Sequence, residues 1–115
     1  MAGITTHVLD TERGRPVAGI RIQLSMLQDG RWAPLNATVT NADGRTDKPI
    51  LPGPEAKVGE YQLEFAVADY LAERAGPAGA FVDDAVVRFA IFDVAQHYHV
   101  PLLCTPGSCT TYRGS

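Results

Sequence analysis

The strongest constraint on this chain is a period-two alternation of apolar and polar side chains, repeated in short runs and cut by turn signals at near-regular spacing. Successive side chains of a strand point to opposite faces, so such alternation lets one face enter a core while the other meets water. Ile4, Thr6 and Val8 alternate with Thr5, His7 and Leu9; the β-branched set is expected inward, which turns His7 outward. Ile20, Ile22, Leu24 and Met26 alternate with Arg21, Gln23 and Ser25, and Asp29-Gly30 then offers a hairpin turn. The run from Trp32 to Thr40 contains Pro34, which has no N–H to donate and so predicts either an edge strand or a late start to the strand. Beyond the turn Asn41-Ala42-Asp43-Gly44, Lys48 to Leu51 is expected as a short strand, stopped by Pro52-Gly53-Pro54. Tyr61, Leu63, Phe65 and Val67 then alternate with Gln62 and Glu64.

One helical segment interrupts the pattern. Asp69 is expected to cap a brief helix from Tyr70 to Ala75, ended by Gly76-Pro77. Phe81 to Phe92 returns to strand, with Val87, Phe89 and Ile91 on one side and Arg88 on the other. In His97 to Cys104 the residues Tyr98, Val100, Leu102 and Cys104 share a core-like face, and His97, His99, Pro101 and Leu103 share a mixed one. A turn at Pro106-Gly107 leads to a last short strand, Thr110 to Tyr112. Roughly seven or eight short strands with one minor helix describe an all-β sandwich. A chain of 115 residues has room for one core, so residues 1–115 are expected to form a single domain.

Charge and composition exclude several classes of partner. A net charge of -3 without a basic run leaves no electrostatic footprint for nucleic acid or an anionic membrane, and neither partner is expected. No apolar run approaches the roughly 18 residues of a membrane span, and Met1 to His7 lacks the basic and apolar regions of a signal peptide, so a cytoplasmic location is expected. Cys104 and Cys109 flank Pro106-Gly107 and could meet across a hairpin. In a reducing compartment they are expected instead as a small buried hydrophobe and a free thiol.

Chemistry concentrates at three places off the core faces: His7, Arg45 at the exit of the Asp43-Gly44 turn, and the pair His97 and His99. A neutral imidazole takes a proton from water and an imidazolium returns one, so paired histidines suit hydrolysis near neutral pH. A guanidinium fork beside them would offset charge on a developing oxyanion or hold a planar acidic ligand. Each residue also has a plainer reading. His7 on a strand can be a solvated or hydrogen-bonded residue, Arg45 a solvated turn residue, and Tyr112-Arg113-Gly114-Ser115 a frayed end. The i, i+2 imidazoles can also share a metal ion, although no C-x-x-C or H-x-x-x-H spacing accompanies them.

Four blocks in order resemble the 5-hydroxyisourate hydrolases, the transthyretin-like enzymes of urate breakdown. They are Ile4-Thr5-Thr6-His7-Val8-Leu9-Asp10, Thr40-Asn41-Ala42-Asp43-Gly44-Arg45, His97-Tyr98-His99-Val100-Pro101-Leu102-Leu103 and Tyr112-Arg113-Gly114-Ser115. The resemblance implies a transthyretin-like sandwich of two four-stranded sheets, assembled as a homotetramer, a dimer of dimers with active sites at the dimer–dimer interface. It implies a cofactor-free and metal-free opening of a cyclic amide of 5-hydroxyisourate to 2-oxo-4-hydroxy-4-carboxy-5-ureidoimidazoline. His7, Arg45 and His99 match the family's principal active-site positions, and Tyr112, Arg113, Gly114 and Ser115 match its tail, which lines the substrate site. Ser115 is expected to position water or substrate, and His97 to support. The chain departs from the family in one place, with Gly107, Ser108 and Cys109 where members often carry aromatic residues. A competing reading is a binding module that carries an aromatic ligand in a channel between subunits, as the transthyretins of the same fold do.

Overall fold

A computed structural model describes residues 3–114. The element order is β1 (Gly3–Asp10), β2 (Arg15–Pro16), β3 (Arg21–Gln28), β4 (Arg31–Val39), β5 (Gly59–Phe65), α1 (Ala68–Ala75), β6 (Ala85–Ile91), β7 (His97–Thr105) and β8 (Ser108–Thr111), with short 3₁₀ turns at Gly53–Glu55 and Gly76–Ala78. Two four-stranded sheets form, ordered β2-β1-β7-β8 and β4-β3-β5-β6. The pairings are antiparallel except for β1 with β7, which run parallel and match Gly3 to Asp10 with His97 to Cys104 residue for residue.

The alternation sorts the core faces as expected, although Ser25 of β3, beside a register shift, and Gln62 of β5 are buried as well. Ile4, Thr6 and Val8 of β1 and Tyr98, Val100, Leu102 and Cys104 of β7 are buried, opposite Ile22 and Leu24 of β3 and Tyr61, Leu63 and Phe65 of β5. Thr6 is polar yet 1% exposed, and its hydroxyl donates to the Val100 carbonyl at 2.7 Å, which removes the cost of burying it. β4 is an edge strand, and Pro34 lies at a β-bulge opposite Ser25, where the missing N–H costs no ladder bond. Asp29 and Gly30 both have positive φ (52° and 78°), the mirror-image turn that suits a tight hairpin.

Several expectations need correction. Lys48 to Leu51 is not a strand; only Leu51 pairs, through an isolated bridge to Ile4. β6 is shorter than Phe81 to Phe92, and both of those phenylalanines are exposed beyond its ends. Arg15–Pro16, for which the alternation predicts no strand, makes a two-residue strand against Leu9 and Asp10. The helix begins at Ala68, and Asp69 lies in its first turn instead of capping it; the Ala68 N–H is satisfied by Asp84 Oδ1 at 3.0 Å. Leu71 is buried beneath the helix, and the Tyr70 hydroxyl donates to Asp10 Oδ2 at 2.5 Å, which ties the helix to the end of β1.

The expectation of free thiols is overturned as well. Cys104 and Cys109 are directly opposed across the β7–β8 hairpin and form a disulfide. Strand pairing brings their Cα atoms to 4.2 Å, a proximity that sequence spacing alone does not establish. The bond also withdraws the support that free thiols would have lent to a cytoplasmic location. Among the described residues no helix is long and apolar enough to cross a membrane.

Leu63 is fully buried at the centre of β5 between β3 and β6. Leu63→Ala is expected to lower unfolding free energy by about 2–5 kcal/mol, through lost apolar transfer and the cavity left behind. Urea unfolding checks this, and a loss below about 1 kcal/mol would mean that the two sheets close over the gap.

Candidate functional site

The parallel ladder positions the site. Because β1 and β7 run in the same direction in register, the outward residues Thr5, His7 and Leu9 lie on one face with His97, His99, Pro101 and Leu103, with Thr5 paired to His99 and His7 to Pro101. The His7 and His99 rings are 6.5 Å apart between centroids, tilted by 43°. Both rings are half-buried.

Arg45 reaches this face through the loop that begins at Asn41. The Asn41 side-chain oxygen accepts from the Asp43 N–H at 2.9 Å and the Arg45 N–H at 3.3 Å, and the Gly44 N–H closes a turn onto the Asn41 carbonyl at 2.9 Å. The Asn41 N–H binds the Arg45 carbonyl at 2.8 Å, so the backbone of Arg45 is fixed at both ends. The turn then docks on β1 through Val8 N–H to Gly44 carbonyl at 2.8 Å and a bridge between His7 and Arg45. Only glycine serves at position 44. Its φ is 73°, and a Cβ there would lie 2.5 Å from the Val8 carbonyl oxygen and 3.2 Å from His7 Cδ2.

The His7 Nε2 contacts the Asp43 carbonyl oxygen at 3.0 Å. A carbonyl only accepts, so neutral His7 carries its proton on Nε2 and keeps a lone pair on Nδ1. Burial lowers the His7 pKa below its ordinary 6.5, and the Arg45 charge lowers it further against an opposing pull from Asp43. His99 is lowered too, first by burial, then by Arg45, His7 and His97. Two imidazoles whose neutral form is favoured therefore share this face with the charge of Arg45, whose backbone the turn anchors.

The tail splits between two places. After β8, the Gly114 N–H donates to the His99 carbonyl at 2.7 Å, and the Gly114 backbone lies so close to the His99 ring that a Cβ would sit 2.7 Å from Cδ2. The Arg113 guanidinium turns away from His7, Arg45 and His99. It lies 4.2 Å from the Tyr98 ring centroid and donates to Gln96 Oε1 at 2.8 Å and the His97 carbonyl at 3.2 Å. The Tyr112 side chain is exposed and lines, with Arg113, an apolar opening of about 280 Å³ between β6 and β8. Ser115 lies outside the described residues.

Thr5 carries a contact that reading the strand did not assign. Its Oγ1 lies 2.8 Å from His97 Nε2 and 2.8 Å from His99 Nδ1. The paired imidazoles thus converge on a hydroxyl where a shared-metal reading would put an ion, and among the described residues no cluster of three or more His, Cys, Asp or Glu could hold one. In the sequence Thr5 was marked by its place on the His7 face and within the first of the four blocks, with no role attached to it.

The family model described as "HIUase/Transthyretin family" matches residues 4–114, a span that contains every element of the site above. The chain belongs to this family. The 5-hydroxyisourate hydrolase of Deinococcus radiodurans is 48% identical over 114 residues, covering 98% of this chain and 96% of that protein. A crystal structure of (S)-allantoin synthase superposes with a TM-score of 0.87 at 39% identity, covering 99% of this chain; the chain spans only 44% of that protein. Sea bream transthyretin, solved in complex with thyroxine, superposes with a TM-score of 0.87 at 25% identity, covering 98% of this chain and 95% of the other. The same sandwich is therefore found in a protein named a synthase and in one solved with thyroxine.

Lowered histidine pKa values give a direct prediction. At pH 6.5 an ordinary imidazole is half protonated, whereas folded His7 and His99 stay mostly neutral. The unfolded chain then binds more protons than the folded one, so these residues make stability fall as pH drops below 6.5 and through the lowered values, with no further change beneath them. Nitrogen-15 NMR titration should find both rings titrating below 6.5; midpoints at or above 6.5 would mean that Arg45 and burial do not act on them as the geometry requires.

Proposed function

We propose that this chain hydrolyses 5-hydroxyisourate, opening its cyclic amide to 2-oxo-4-hydroxy-4-carboxy-5-ureidoimidazoline without a cofactor. The observation that carries the reading is the convergence of two neutral imidazoles and an anchored Arg45 on one face. The kinship to a named 5-hydroxyisourate hydrolase over almost the whole of both chains supports the choice of substrate.

The chemistry follows from what lactam opening requires. Water attacks the ring carbonyl carbon while His99, through Nε2, takes the water proton; His7 orients the water through its Nδ1 lone pair. The carbonyl oxygen gains negative charge, and the Arg45 fork offsets it with two parallel donors. As the C–N bond breaks, His99 returns its proton to the leaving ring nitrogen. The new carboxylic acid then ionises, so one proton is released per turnover. Gly114 packs against the His99 ring, and Ser115 is assigned to the substrate side of the site, whereas Tyr112 and Arg113, which face the opening between β6 and β8, are given no contact with the reacting ring.

Added protein should accelerate the ultraviolet decay of freshly made 5-hydroxyisourate far beyond its spontaneous rate. His7→Asn and His99→Asn should each slow turnover by about 100-fold or more, and the double variant should be little worse than the poorer single, because the two act on one water. Absence of acceleration by the unaltered chain would leave the ligand-carrying reading in front.

The same reading includes a homotetramer, a dimer of dimers with the sites between dimers. Leu9 and Leu103 are partly exposed beside His7 and His99, an apolar patch that a two-fold partner would cover. Light scattering is expected to give the mass of four chains at micromolar concentration; a monomer with full catalysis would rule out an interface site.

A further inference from the structure

A hydroxyl between two imidazoles is a proton switch by its valence. Thr5 Oγ1 has one hydrogen and lies 2.8 Å from both His97 Nε2 and His99 Nδ1, so it donates to one ring and accepts from the other. Two neutral arrangements satisfy both contacts. In the first, His99 Nδ1–H donates to Thr5 and Thr5 donates to His97 Nε2, which leaves His99 Nε2 bare. In the second, His97 Nε2–H donates to Thr5 and Thr5 donates to His99 Nδ1, so neutral His99 carries its proton on Nε2.

The first arrangement gives the base that attack by water needs. Once His99 Nε2 takes the water proton, however, a full imidazolium would stand on the same face as Arg45, in a partly buried setting that opposes charge. His97 is placed differently. It is exposed, and it pairs with Gly3, four positions along β1 from His7 and its bridge to Arg45. We infer that Thr5 is a positioning residue that shuttles charge from His99 to His97 during turnover. This rests on the hydrolytic reading above.

The steps balance within the chain. As the water proton reaches His99 Nε2, the Nδ1 proton passes to Thr5 Oγ1 and the Thr5 proton to His97 Nε2, which makes His97 the imidazolium. When the ring nitrogen leaves, it takes the proton on His99 Nε2. The same three positions then run back, and His97 and His99 end neutral as they began. The charged groups that face this chain are His7 from β1, Arg45 and Asp43 from the turn, and Arg113 from the tail, whose guanidinium holds the His97 carbonyl.

Thr5→Val keeps the shape and removes the hydroxyl, Thr5→Ser keeps the hydroxyl, and His97→Gln keeps a hydrogen-bond partner for Thr5 that cannot hold a proton. With folding checked by thermal melts, Thr5→Val and His97→Gln should each lower kcat by about 10- to 100-fold with KM nearly unchanged, their double variant should be no worse than the poorer single, and Thr5→Ser should stay within about threefold of the parent. The low-pH limb of kcat should move in both slow variants. Normal kcat in Thr5→Val, or a slow Thr5→Val beside a normal His97→Gln, would overturn the shuttle, the latter because Thr5 would then only hold the ring. Nitrogen-15 spectra without substrate separate this from failure of the hydrolytic reading. His97→Gln should shift the tautomer balance of His99 in the parent but not in Thr5→Val, whether or not the chain opens 5-hydroxyisourate, and an unmoved balance would overturn the hydrogen-bonded chain itself.

Discussion

The parallel pairing of β1 with β7 is the interaction on which both the core and the site depend. It joins segments more than 90 positions apart, Thr5 to His97 and His99, and its ladder covers the whole of β1. Closing so long a loop costs chain entropy before any contact is made, although the cost grows only with the logarithm of length. The buried faces offset it: Ile4 and Val8 on β1, with Val100 and Leu102 on β7, leave water together. Thr6 adds a side-chain bond across the ladder, to the Val100 carbonyl.

That ladder also fixes register, and register decides which chemistry faces outward. A slip of one residue would send His7 inward and Ile4 outward, so the core that keeps Ile4 buried is also what keeps His7 available. The same logic applies on β7, where burial of Tyr98 and Val100 leaves His97 and His99 on the outer face. Stability and function are thus read from opposite sides of the same two strands. The Gly44 turn and Gly114 then approach this face closely, each at a point where any Cβ would collide with a histidine ring or a backbone oxygen.

A sandwich of this shape is compatible with more than one task, as the match to a thyroxine-bound transthyretin illustrates. In this chain the deciding feature is local electrostatics. Burial and the Arg45 charge favour the neutral form of both imidazoles, the state in which they can accept a proton. A surface built to carry an apolar ligand would have no use for that arrangement. Thr5, which ties His99 to the exposed His97, belongs to the same logic, because a base flanked by a cation needs somewhere to send charge.

Alternation determined the faces of β1, β3, β5 and β7, and with them the core and the outward histidines, because a side-chain period of two is built into extended backbone and needs no neighbour to define it. Pro34 narrowed its run to an edge strand or a late strand start for an equally local reason, its missing donor, and the sheet order decided for the edge. The Asp43-Gly44 turn put Arg45 at a turn exit off the core faces, and the blocks around His7, Arg45 and His99, with the tail, were enough to suggest the family. Pairing was not legible, because backbone donors and acceptors are the same in every strand and say nothing about which strand lies alongside. Only the tertiary structure put Thr5 between His97 and His99, set Cys104 opposite Cys109, turned Arg113 onto Tyr98 and supplied Asp84 to the helix in place of the expected Asp69 cap. Each of those contacts is an outcome of which strands and loops pack together, a property of the whole chain that no short window of residues contains.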